Sequence, residues 1–165
     1  MNDTPTATPN SYVTDEDTAL LDRLVVMDDS DPDSANLTLT KINGTPVALG
    51  TPMTLPSGAR VIVTVNATTS ATEVDYDPTT SASLNALSAG SSDIDSFTYE
   101  ISDGYGGVDT AEVTVTVNGV NDVPLASDNG FVTDEDSAID GNVTDDDTDV
   151  DTLDTITVTA VNGLA

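Results

Sequence analysis

The sequence repeats itself at long range, and this limits the folds open to it more than any other feature. Val13-Thr14-Asp15-Glu16-Asp17-Thr18-Ala19-Leu20 returns as Val132-Thr133-Asp134-Glu135-Asp136-Ser137-Ala138-Ile139, an offset of 119 residues. The same offset aligns Asn2-Asp3-Thr4-Pro5-Thr6-Ala7 with Asn121-Asp122-Val123-Pro124-Leu125-Ala126, and Ile42-Asn43-Gly44 with Val161-Asn162-Gly163. Between these anchors, Asp28-Asp29-Ser30-Asp31-Pro32-Asp33 matches Asp146-Asp147-Thr148-Asp149-Val150-Asp151 with a slip of one residue. Four anchors in the same order describe a tandem repeat. The reading is the end of a preceding linker at 1–10, a complete unit at 11–119, a junction at 120–126 and the first part of a second unit at 127–165.

Within the complete unit the apolar residues alternate with polar ones, the period of a half-buried strand. Ala111, Val113, Val115 and Val117 alternate with Thr110, Glu112, Thr114 and Thr116. Phe97, Tyr99 and Ile101 do the same, as do Val61, Val63 and Val65, Leu37 and Leu39, and Val74 with Tyr76. Asn43-Gly44, Pro56-Ser57-Gly58, Asp77-Pro78 and Asp103-Gly104-Tyr105-Gly106-Gly107 carry turn chemistry between the runs. No long segment has apolar spacing of 3.6. About seven mostly antiparallel strands predict an all-β, immunoglobulin-like sandwich, followed by the first strands of a second one. The segment 81–92 is small and polar, and reads either as a loop or as a short helical turn around Leu84 and Leu87.

Charge narrows the function. The chain has 30 acidic and 3 basic side chains, a formal charge of -27, and no His or Cys. Repulsion of phosphates argues against nucleic acid and anionic membranes as partners. There is no imidazole base, thiol nucleophile, disulfide or ordinary zinc site. Paired acids can signal a glycosidase, but here they crowd together in polar loops and no Trp offers a sugar platform, so no enzymatic activity is expected. No apolar run is long enough to span a membrane, and MNDTPTATPN is not a signal peptide, so export would use a signal outside this chain. Of the acids, 25 are Asp and 5 are Glu. That bias favours turns, caps or metal loops. Acids adapted to high salt would instead be spread over strand faces, with many Glu.

Several segments together resemble a known family. They are Thr14–Leu20, Asp29-Ser30-Asp31-Pro32-Asp33, Tyr76-Asp77-Pro78, Asp95-Ser96-Phe97-Thr98-Tyr99-Glu100-Ile101-Ser102-Asp103-Gly104, and Val115-Thr116-Val117 running into Val120-Asn121-Asp122-Val123-Pro124. The chain is similar to the bacterial cadherin-like repeats of very large surface proteins, which are akin to VCBS repeats. The resemblance implies a sandwich strung in tandem, calcium at the junctions and a place in adhesins or extracellular matrix. Residues 67–92 are longer than the usual pattern.

Calcium takes six to eight oxygen ligands, and alternate carboxylates converge where an Asp-rich loop curls. Asp29, Asp31 and Asp33 have that spacing, and Asp147, Asp149 and Asp151 repeat it. The same residues also read as solvated turns. By resemblance, Asn121, Asp122, Glu135, Asp147 and Asp149 would serve the second junction, with Asp103 and also Asp109 as contributors from the preceding unit. Asn2, Asp3, Glu16, Asp29 and Asp31 would serve the first. The glycine-rich turn after Asp103 reads more simply as a hairpin, and Asn121-Asp122-Val123-Pro124 as a linker stiffened by Pro.

The expected function is a calcium-stabilised rigid spacer at the cell surface or outside it, whose partners are neighbouring repeats. One alternative is a fibre subunit, in which the incomplete second unit takes a strand from another copy of the chain. Another is a carbohydrate- or partner-binding domain that grips its ligand with loops such as 81–92.

Overall fold

The computed structural model describes residues 1–161 except 24, 35, 69 and 70. Asn162 and Gly163 of the third repeat anchor therefore lie outside the described residues. Among the described residues nine strands form in chain order: β1 (Asn10–Asp15), β2 (Leu20–Arg23), β3 (Thr38–Ile42), β4 (Thr45–Pro46), β5 (Met53–Thr54), β6 (Arg60–Val65), β7 (Thr72–Asp77), β8 (Ser92–Ser102) and β9 (Val108–Asn118). The two beyond the expected seven are the two-residue pieces β4 and β5. One sheet has the order β1-β9-β8-β3-β4 and the other β2-β7-β6-β5. All pairings are antiparallel except β1 with β9, which run parallel from Asn10↔Val113 to Asp15↔Asn118. The unit is thus a β-sandwich of immunoglobulin-like type.

The alternating residues meet between the sheets. Val113, Val115 and Val117 of β9, Phe97, Tyr99 and Ile101 of β8, Val61 and Val63 of β6, and Val74 and Tyr76 of β7 are all buried. Their apolar surface supplies the driving force, about 25 cal/mol for each Å² removed from water. One inward position is polar. Asp95 of β8 is buried, and its Oδ2 accepts from Tyr76 Oη at 2.8 Å and Ser57 Oγ at 2.7 Å. Segment 81–92 follows a single 3-10 turn (Pro78–Thr80), runs through turns rather than strand, and seats Leu84 in the core. Among the described residues no helix is long and apolar enough to cross a membrane.

The expected first strands of the second unit do not form. After Asn118 the described residues contain only isolated bridges, such as Leu125↔Thr148. The cause lies in the topology of the complete unit. There β1 pairs with β9 and β2 with β7, both of which come late in the unit. Segments 129–134 and 139–142, the counterparts of β1 and β2 at the 119-residue offset, pair with no strand among the described residues.

The second unit nevertheless copies the turn network of the first. Thr6 and Ser30 exchange backbone hydrogen bonds, and so do Leu125 and Thr148. Thr8 N donates to Asp29 Oδ1 at 2.7 Å, and Ser127 N to Asp147 Oδ1 at 2.8 Å. Asp33 N donates to Asp31 Oδ1, and Asp151 N to Asp149 Oδ1, both at 2.9 Å. Thr14 Oγ1 donates to the Thr18 carbonyl, as Thr133 Oγ1 does to that of Ser137. These contacts span at most 24 residues and join the linker and the first turns of a unit to its Asp-rich loop, so they need no completed sandwich.

Candidate functional site

The sandwich gathers carboxylates at its two ends. At the end where the chain enters, Asp29 and Asp31 lie on the loop between β2 and β3. Asp29 Oδ1 accepts from Thr8 N and from Tyr99 Oη at 2.9 Å, which ties the loop to the core. Asp31 Oδ1 accepts from Asp33 N and from Ser34 N at 2.8 Å. The second oxygen of each, Asp29 Oδ2 and Asp31 Oδ2, is buried with no hydrogen-bond partner. Asp3 N reaches the Asp33 carboxylate at 3.3 Å, and Asn2 Nδ2 donates to Asp103 Oδ2 at 2.7 Å. Ala7 N donates to Asp109 Oδ2 at 2.8 Å. Burial raises the pKa of Asp29 most, and the charges of Asp28 and Asp109 raise it further. Asp33 is raised chiefly by its side-chain contact with Asp31. Asp103 is held below the usual range, first by Asn2 and then by the amides of the turn it caps.

At the opposite end, Glu16 is only 1% exposed. Its two oxygens accept from Val120 N at 2.6 Å and Leu87 N at 3.2 Å. Asp122 N donates to Asp151 Oδ2 at 2.8 Å. Asp122 Oδ2 and Asp151 Oδ1 are buried without partners, and Asp151 as a whole is 2% exposed. Burial raises the pKa of Asp122, then the charges of Asp151, Asp17 and Asp149. Glu16 is raised by burial, against the lowering effect of its two amide donors, and by the charges of Asp122 and Asp151.

The structure regroups the expected sets. Glu16 sits with Asp122, Asp149 and Asp151 at the second junction, not at the first. Asp103 and Asp109 join the first junction, not the second. The reason is topological. The turn after β1 lies at the same end as the C-terminus of the parallel strand β9, whereas the β8–β9 hairpin points the other way. Glu135 is exposed, and none of the hydrogen bonds that tie the second cluster together reaches it. Asp147 repeats the role of Asp29, and Asn121 donates to the Asp122 carbonyl as Asn2 does to that of Asp3. Sequence reasoning left Asp17 out of the cluster, and it read the loop 81–92 as a candidate ligand grip without placing Leu87 beside Glu16. Gly119 lets that loop close on the junction, since a Cβ there would lie 2.3 Å from the carbonyl oxygens of both Leu87 and Ser88.

The three cationic side chains are engaged elsewhere. Lys41 pairs with Glu100, Arg60 pairs with Asp77, and Arg23 lies over the Tyr12 ring. The model of the bacterial cadherin-like domain matches residues 2–119. The chain belongs to this family. No curated protein and no solved structure matches it. Bacterial cadherin-like domains generally bind calcium and are typically extracellular and non-enzymatic.

The donor set of this cadherin-like chain fits a hard cation in its chemistry. Among the described residues each end holds two buried carboxylate oxygens without a hydrogen-bond partner, on Asp29 and Asp31 and on Asp122 and Asp151, and carboxylate oxygens are ligands that calcium takes. The atoms are not drawn together, however: no group of three or more such side chains among the described residues is arranged to hold a metal ion.

Proposed function

We propose that the chain is a calcium-stabilised structural repeat of a bacterial extracellular adhesin or matrix protein, acting as a rigid spacer between neighbouring repeats. The observation that carries this reading is the set of four orphaned carboxylate oxygens, on Asp29, Asp31, Asp122 and Asp151, divided evenly between the two ends. A buried carboxylate oxygen without a donor costs stability unless a cation meets it. Asp29 and Asp31, with Asp33, Asp3, Asn2 and Asp103 nearby, would hold calcium at the first end. Glu16, Asp122, Asp149 and Asp151, with Asp17 and Asn121 nearby, would hold it at the second. Calcium supplies charge neutralisation and bridges the linker to the loops on either side. A string of units would then become an extended rod.

Isothermal titration of the full chain with calcium tests this. Asp31→Asn and Asp151→Asn are expected each to remove part of the bound calcium while the other end keeps its own. Absence of binding at millimolar calcium, or unchanged stoichiometry in both variants, contradicts the reading.

A further inference from the structure

The second unit touches the first through a contact that involves no carboxylate cluster. Thr152 donates to the carbonyl of Ala86 with its amide at 3.3 Å and with its hydroxyl at 3.1 Å. Leu153 N donates to Ser88 Oγ at 3.0 Å. Ser88 is buried although it lies in a loop at the tip of the domain. The loop is clamped from behind. Leu87 N is held by the Glu16 carboxylate, Gly119 N donates to the Ser91 carbonyl at 3.0 Å, and the Gly119 backbone packs against Leu87 and Ser88 so closely that no side chain fits at 119. This loop lies in the stretch 67–92 that is longer than the usual pattern.

We propose that residues 84–91, backed by Glu16 and Gly119, form a recognition socket for the adjoining unit, which engages the hydroxyl residue that follows the paired-Asp loop and holds two units in register without an ion. The partner is another unit of the same kind. Ser34 occupies the place of Thr152 in the first unit, at an offset of 118 residues, so both units carry a hydroxyl there. Asp33 is exposed, whereas its counterpart Asp151 is buried by the first unit. The entry end of the first unit carries the same loop that the second unit docks. The contact itself uses neutral donors and acceptors; it shares Glu16 and Asp151 with the calcium reading, and measurement in chelator separates the two.

Amide hydrogen exchange on the full chain in excess chelator tests the socket. The Leu153 amide is expected to exchange about tenfold more slowly than in Ser88→Ala, the protection that one ordinary hydrogen bond provides. Thr152→Ala is expected to speed exchange at Leu153 as well, because the neighbouring hydroxyl anchor is lost. Ser34→Ala, at the uncovered end, is expected to leave it unchanged. Gly119→Ala is expected to abolish the protection by pushing residues 87 and 88 away. If that variant fails to fold, the two hydroxyl variants decide. An unprotected Leu153 amide in the chelated wild type, protection that appears only with calcium, or an equal effect of Ser34→Ala and Thr152→Ala overturns the proposal.

Discussion

The carboxylates of this chain fall into two kinds, distinguished by what their oxygens meet. Asp95 is buried but satisfied by two hydroxyl donors, and both oxygens of Glu16 accept amides. Asp122 leaves one oxygen buried and unsatisfied, among the charges of Asp151, Asp17 and Asp149. The two kinds respond differently to substitution. Tyr76→Phe removes a donor from Asp95 in the core, so it is expected to cost about 1–3 kcal/mol by denaturant unfolding, equally with and without calcium. Asp122→Asn removes an uncompensated charge. It is expected to raise Tm in chelator and lower it in calcium, and a shift of the same sign in both buffers contradicts the assignment.

At the scale of elements, the alternation of apolar residues in β6, β7, β8 and β9 was legible because it states directly which side of each strand faces the core. Asp95 was not, since the alternation that predicts Phe97, Tyr99 and Ile101 carries on inward to a polar side chain. The acidic turns were legible as clusters, because alternate Asp spacing is local. Their grouping was not. Which turns share an end depends on the parallel pairing of β1 with β9, a contact about 100 residues apart in sequence, and no local pattern encodes it. For this reason Glu16 was expected at the wrong junction. The β8–β9 hairpin provides a check on the geometry. A Cβ on Gly107 would lie 2.3 Å from Asp103 Oδ2 and 2.9 Å from Pro5 Cδ. Gly107→Ala is therefore expected to destabilise the unit by about 1–3 kcal/mol and to detach residues 2–5, seen as faster amide exchange at Thr6. An unchanged Thr6 amide contradicts the packing described.

For the whole molecule, a charge of -27 with its few cations committed to strand faces leaves both ends without internal countercharge. Folding then depends on what neutralises them. The pH response has a definite sign. Glu16, Asp29, Asp33 and Asp122 have pKa values raised from 4.5 for Glu and 3.8 for Asp, so the folded state without calcium holds their protons more tightly than the unfolded chain. Their contribution is fully present below the unfolded values and is lost as pH rises through the folded ones. Asp103 and Glu100, which are lowered, act oppositely, and theirs is lost only as pH falls below the ordinary carboxylate range. In chelator, acidification from neutral pH toward the ordinary carboxylate range is therefore expected to raise Tm. In calcium, where the ligands must stay ionised, the same change is expected to lower it. The central claim is that the orphaned oxygens await calcium, and thermal unfolding of the full chain at neutral pH measures it. One site held at a hundredfold excess over its Kd contributes about 2.7 kcal/mol, so millimolar calcium is expected to raise Tm above its value in chelator by about 10 °C or more. Coincident unfolding curves in calcium and in chelator would contradict the account.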